Sequence, residues 1–157
     1  MAWTLADTRQ VILVDLDMEG GTLADLLFLR TEERSVGNCF TERRSSSADL
    51  MAQAVPVPGR EGLQVIPGLR STSGTDVAEA LRQVAPALQH LDADVVMVDL
   101  GSPLAHPGLR SPRAAGDSIT SVFARVFVVV RDEPALLARS IEVLRGARLA
   151  HGELVVC

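Results

Sequence analysis

The sequence contains no lysine; all 15 of its basic side chains are arginines. No side-chain ammonium is therefore available to pair with a bound phosphate. A glycine-rich G-x-x-x-x-G-K-[ST] segment, whose backbone N–H groups cradle phosphates, is also missing. Cysteine is scarce: Cys39 and Cys157 cannot form a disulfide framework, stand in no CxxC or Cys/His ligand spacing, and read as free thiols. No apolar run approaches the roughly 20 residues that span a bilayer. The N-terminus shows no basic segment followed by an apolar secretory core, so a cytoplasmic location is the expectation. His90, His106 and His151 share no zinc-ligand spacing, and Ser46, Ser102 and Ser118 lack the G-x-S-x-G elbow of a hydrolase. No period of about 20 to 50 residues recurs, which excludes a solenoid. A net charge of -5 and a pI near 5.1 argue against a globally nucleic-acid-binding surface.

What is present suits one domain with a sizeable core: 157 residues, 47% hydrophobic and 22% charged. The organising stretch is 11–22, where Val11-Ile12-Leu13-Val14 runs into Asp15-Leu16-Asp17 and then Gly20-Gly21-Thr22. An apolar run without polar alternation predicts a strand covered on both faces, as in a parallel α/β sheet. Ligands bind outside the carboxyl ends of such strands. Gly20-Gly21 allows a tight turn, and Thr22 with Asp25 forms a capping-box-like pair ahead of a helix over 23–29.

Residues 1–7, with Trp3 and Leu5 among good helix formers, read as the last turns of a helix. Residues 31–47 are polar and are expected to be a surface connection. Ser46 or Ser47 can cap a short helix bearing Leu50, Met51 and Ala54, terminated by Pro56 and Pro58. Leu63 to Ile66 then reads as a strand stopped by Pro67-Gly68. Asp76 and Glu79 open a helix with Val77, Leu81, Val84, Leu88 and Leu91 along one face, which Pro86 is expected to kink or divide. A second apolar strand, 94–99, again ends in a carboxylate, Asp99, followed by Gly101. The Pro-, Gly- and Arg-rich stretch 101–118 is long for a loop, and 101–117 is expected to be the least ordered internal segment. Val126 to Val130 forms a strand, Pro134 opens a last helix with Leu137, Ile141 and Leu144 inside, and Leu154 begins a final strand. This alternation predicts an α/β layered fold with a mainly parallel sheet and helices on both faces.

The strand, Asp-x-Asp and glycine turn of 11–29 resemble the segment that follows the phosphate loop in MinD/ParA-type ATPases, nearest to their CpaE/TadZ-like branch. The likeness extends over most of the chain. Ala2-Trp3-Thr4-Leu5-Ala6 resembles the "A-x-x-L-A" helix tail before that strand, Leu63 to Gly68 the family's "L-x-V-I/L-P-G" strand, and Asp94 to Asp99 its Walker B "D-x-V-x-V-D". The resemblance implies a P-loop NTPase-like fold, ATP and Mg²⁺ as cofactors, homodimerisation around ATP, and action through protein partners. It also implies roles: Asp17 as the carboxylate that orients the attacking water, Asp15 as support of the metal site, Asp99 as the Walker B carboxylate that holds Mg²⁺ through its water shell, and Gly20 and Gly21 as the adjoining nucleotide-side turn. The second switch region falls on 101–118.

The plain alternative is that Asp15, Asp17 and Asp99 only end strands at a solvated sheet edge. Arg43-Arg44 and Arg110 with Arg113 likewise read as solvated loops, the functional alternative being nonspecific contact with DNA phosphates. The departures from the family are definite. Only ten residues precede the first strand, where relatives carry the phosphate loop; Glu19 stands where many have Gln; Cys157 stands near the place of their adenine-binding Asn; and their amphipathic membrane-targeting tail is not seen. Two readings follow: an internal piece of a longer ATPase that positions partitioning, pilus or secretion machinery and is inactive alone, or a noncatalytic α/β scaffold that binds protein partners without nucleotide. A third, an α/β enzyme using Asp17 and Asp99 around Mg²⁺ without nucleotide, has a thin ligand set.

Overall fold

The computed structural model describes residues 1–17, 22–31, 33–41, 46–68, 77–101, 126–130, 141 and 152–156. Within Met1–Ser102, a compact unit, β1 (Val11–Asp15) lies between β3 (Arg60–Ile66) and β4 (Val95–Asp99), parallel to both. A short strand, β2 (Val55–Val57), pairs antiparallel with β3 and completes the order β2-β3-β1-β4. The predicted α/β class and mostly parallel sheet are therefore observed.

The lack of polar alternation in β1 has its expected consequence. Successive strand residues point to opposite faces, and Val11, Ile12 and Val14 are all buried. One face carries Val11, Leu63 and Val65, packed with Val57 and with Ala2, Leu5 and Ala6 of the helix α1 (Ala2–Leu5) and its cap. Ile12, Val14 and Ile66 belong to the other face and are equally buried. Buried residues of α3 (Val36–Thr41), α4 (Ser47–Ala52) and α5 (Val77–Leu88), among them Val36, Cys39, Leu50, Val84 and Leu88, form the helical part of the core. Carboxylates fasten the strand pair at its start too, where Asp94 Oδ2 accepts the Gln10 N–H at 2.8 Å and Gln10 O accepts the N–H groups of Asp94 and Val95.

Several local expectations are corrected. The helix α2 (Leu23–Leu26) stops short of 29, closed by bonds from Phe28 N–H to Asp25 O and from Leu29 N–H to Ala24 O. Residues 31–47 are not merely a surface connection, because α3 within them buries Val36 and Cys39. That helix is fixed from outside: Val36 N–H donates to Pro67 O, Ser35 Oγ–H to Gly68 O, and Asn38 Nδ2–H to Gln53 Oε1. Ser46 caps α4 as expected, with Asp49 returning the bond in a full capping box. The helix α4 ends at Ala52, short of the expected Ala54, and Pro56 beyond it lies in β2. At the outer strand of the sheet a missing N–H is tolerated. Pro86 does not divide α5, which runs on to Leu88. The missing proline N–H costs the ladder one bond, and α5 ends two residues later.

In the second unit, Pro103–Cys157, β5 (Val126–Val130) and β6 (Gly152–Val156) pair in parallel from Val126↔Gly152 to Val130↔Val156. Residues 102–118 and the last predicted helix apart from Ile141, which is helical, lie outside the described residues, as do Arg43, Arg44, Arg110, Arg113 and Cys157. Among the described residues no helix is long and apolar enough to cross a membrane.

Candidate functional site at the carboxyl edge of the sheet

Parallel pairing brings the ends of β1 and β4 together. Asp15 and Asp99 are register partners, and Leu16 N–H donates to Asp99 O at 2.7 Å just beyond them. The three candidate carboxylates thus occur at one edge of one sheet, with Asp15 and Asp17 on the chain leaving β1 and Asp99 at the end of β4.

Asp15 is wholly buried. A buried carboxylate must be hydrogen-bonded, and both of its oxygens are: Oδ1 accepts the Asp17 N–H at 3.0 Å and Oδ2 the Leu23 N–H at 3.1 Å. The first bond is an Asx turn, an option that an Asp always offers two residues on. The second corrects the expected capping box, since Thr22 makes no side-chain cap bond and Asp15 takes the first N–H of α2 instead. Burial pushes the Asp15 carboxyl above its ordinary value of 3.8; the N–H groups of Leu23 and Asp17 pull it down, and the neighbouring Asp99 and Asp17 charges push it up again. Asp15 therefore braces the edge and ties β1 to α2.

Asp99 is half-buried, and its Oδ1 accepts the Gly101 N–H at 2.9 Å. Gly101 adopts a left-handed backbone, φ +63°. Its Cα lies against the Asp17 side chain: a Cβ placed there would come within 2.5 Å of Asp17 Cγ and Oδ1 and 2.9 Å of Asp17 Cβ. Sequence reading identified the glycine only as a strand-end marker; its contact with Asp17 joins residues 84 positions apart and has no local signal. Gly20 and Gly21 lie outside the described residues. His90 is exposed, and among the described residues no group of three or more His, Cys, Asp or Glu side chains is arranged to hold a metal ion.

The donor set has the chemistry of a hard-cation site of a limited kind. Mg²⁺ prefers oxygen ligands and commonly takes only one or two carboxylates, keeping several waters. Asp99 suits that role, since one of its oxygens is anchored by Gly101 and the other accepts no hydrogen bond from the described residues. Three carboxylates alone repel a triphosphate, and the sequence has no lysine to offset them.

Neither a protein-family model nor a curated protein matches the sequence. Solved structures match its fold. The septum site-determining protein MinD from Pyrococcus horikoshii OT3, complexed with Mg-ADP, has a TM-score of 0.69 at 15% identity; the match covers 98% of this chain and 58% of MinD. A plasmid partition protein from Borrelia burgdorferi has a TM-score of 0.66 at 13% identity, over 99% of this chain and 68% of its own. The VpsO kinase domain has a TM-score of 0.66 at 15% identity, over 99% and 71%. The fold is thus the P-loop NTPase-like α/β fold of MinD/ParA-type structures, and this chain spans 58% of the MinD it matches. A kinase domain shares that fold with septum and partition proteins, so the fold alone does not choose the reaction.

Proposed function

We propose that the chain is part of a MinD/ParA-type ATPase of the CpaE/TadZ-like branch, serving spatial organisation such as chromosome or plasmid partitioning or the placement of pilus or secretion machinery. The observation that carries this reading is the in-register pairing of Asp15 with Asp99, with the Asp17 side chain lying close against Gly101. In phosphoryl transfer the protein mainly positions groups and stabilises charge. Asp17 accepts a hydrogen bond from the attacking water and orients it. Asp99 would hold Mg²⁺, and Asp15 fixes the backbone on which Asp17 stands. Gly20 and Gly21 are assigned to nucleotide binding by the same family resemblance. Mg²⁺, when bound, offsets the carboxylate and phosphate charges. The intact protein forms a homodimer around ATP that acts on protein partners in the cytoplasm. Nonspecific DNA contact through arginines belongs to the same reading. MinD from P. horikoshii, solved with Mg-ADP, supports the choice of cofactors.

The competing reading is a scaffold that keeps the fold and binds proteins without nucleotide; the lysine-free sequence favours it. Calorimetric titration of the upstream-extended protein with ATP and Mg²⁺ separates the two. Binding that Asp99→Ala abolishes supports the ATPase. No binding by an extended protein that carries the loop, or an upstream stop codon with no such loop in any frame, leaves the scaffold.

A further inference from the structure

We propose that Gly101 is a positioning residue for Asp17, setting where the Asp17 carboxyl stands relative to Asp99. The inference deepens the reading of Asp17 and Asp99 as one site and rests on it for its functional meaning. Two contacts of a single residue carry it. The Gly101 N–H holds Asp99 Oδ1 at 2.9 Å, which fixes Gly101 to the end of β4. Its bare Cα seats the Asp17 side chain so closely that a Cβ would overlap Asp17 Cγ, Oδ1 and Cβ together. The overlap reaches Asp17 Cβ, so rotation of the carboxyl group alone does not relieve it. The side chain or the backbone beneath it has to move. That backbone is itself held, because the Asp17 N–H is bonded to the buried Asp15. Gly101 therefore couples the two strand ends: one side of it anchors the proposed metal-side carboxylate and the other limits the position of the proposed water-orienting one.

A glycine with positive φ has a simpler role as well, that of permitting the turn after β4. The test has to separate the two roles. Asn tolerates the left-handed conformation far better than other residues, so Gly101→Asn adds the Cβ while sparing much of the backbone strain; Gly101→Ala adds both. In the 157-residue chain labelled at aspartate Cγ, both variants are expected to move the ¹³C resonance of Asp17 by more than its linewidth and to leave those of Asp7 and Asp94 in place. A turn-only role leaves Asp17 unmoved in Gly101→Asn, and that result overturns the proposal. The second measurement is a double-mutant cycle by urea unfolding. Asp17→Gly removes the side chain that a Cβ would strike, so Gly101→Asn is expected to lower the urea midpoint by less than half as much in that background as in the parent. Equal losses in the two backgrounds overturn the proposal. Should Gly101→Asn fail to fold, refolding on addition of Asp17→Gly supports it and continued failure overturns it. No nucleotide enters either measurement, so loss of the ATPase reading leaves a positive coupling standing, and loss of the coupling leaves the ATP titration to be judged by itself.

Discussion

At the scale of single residues, Phe28 and Asp15 both break an ordinary preference. Phe28 has φ +53° and is 93% exposed. It occupies the left-handed position of the α2 terminus, where the bonds from Phe28 N–H to Asp25 O and from Leu29 N–H to Ala24 O make a Schellman closure that usually takes glycine. A left-handed conformation costs an L-residue roughly 1–2 kcal/mol, whereas glycine loses roughly 0.5–1 kcal/mol through its looser unfolded chain. Phe28→Gly is therefore expected to raise stability by about 0.5–1 kcal/mol in urea unfolding; a lowered midpoint would show that the ring contributes contacts which outweigh the strain. Asp15 is a buried carboxyl whose titration is raised above 3.8, by burial first. The folded chain then keeps this proton over a range in which the unfolded chain has released it, so the contribution of Asp15 to stability is full below 3.8 and is lost as pH rises through the folded value. Asp15→Asn cannot titrate and leaves one of two backbone N–H groups facing an amide NH₂. The stability advantage of the parent over this variant should be largest in acid and shrink as pH rises through that window. A gap that widens with pH would mean that the backbone bonds to Leu23 and Asp17 outweigh desolvation.

At the scale of elements, legibility followed the strength of local pattern. The strands β1, β3 and β4 announce themselves as apolar runs with carboxylate or Pro-Gly stops, and α4 by its Ser46 cap, because those signals are contained in a few neighbouring residues. The helix α3 has no such signal. It offers one short buried pair, Val36 and Cys39, around Gly37 and Asn38, which are poor helix formers, and is held by bonds to Pro67, Gly68 and Gln53. The same limit applies to the site: its carboxylates can be read from strand ends, but the Gly101–Asp17 approach exists only once β1 and β4 lie side by side. Docking of α1 is another long-range fact, and it yields a test. Gly62 in β3 lies under the end of that helix, where a Cβ would meet Ala6 O at 2.4 Å and Arg9 O at 2.7 Å. Both obstacles are backbone, so Gly62→Ala has to displace α1 or the strand, with an expected loss of about 1–3 kcal/mol. Trp3, the sole tryptophan, reports the displacement, because Arg60 lies over its ring at 4.5 Å and pairs with Asp7. Its emission should change in Gly62→Ala under native conditions; an unchanged spectrum together with full stability would show that the helix end yields without leaving the sheet.

For the molecule as a whole, the balance of charge decides what this sequence can bind. Its net charge is -5, and the carboxyl edge of the sheet concentrates Asp15, Asp17 and Asp99. A triphosphate approaching that edge meets repulsion unless Mg²⁺ and phosphate-directed donors offset it. A phosphate loop supplies several such donors, and hydrogen bonds to charged groups contribute about 1.5–3 kcal/mol each. Losing even three of them amounts to roughly 4.5–9 kcal/mol, or about three to six powers of ten in affinity at 1.4 kcal/mol per tenfold. Binding that is micromolar with the loop therefore becomes millimolar or weaker without it. The 157-residue chain is accordingly expected to give no measurable heat when titrated with ATP and Mg²⁺ at micromolar concentrations, whereas the protein extended by an upstream loop binds and loses that binding on Asp99→Ala. Raising the salt concentration discriminates further. Screening weakens repulsion between exposed charges but creates no donors, so the short chain should stay silent at every ionic strength. Tight binding by the short chain would place the phosphate site on arginines and backbone N–H groups away from the three carboxylates.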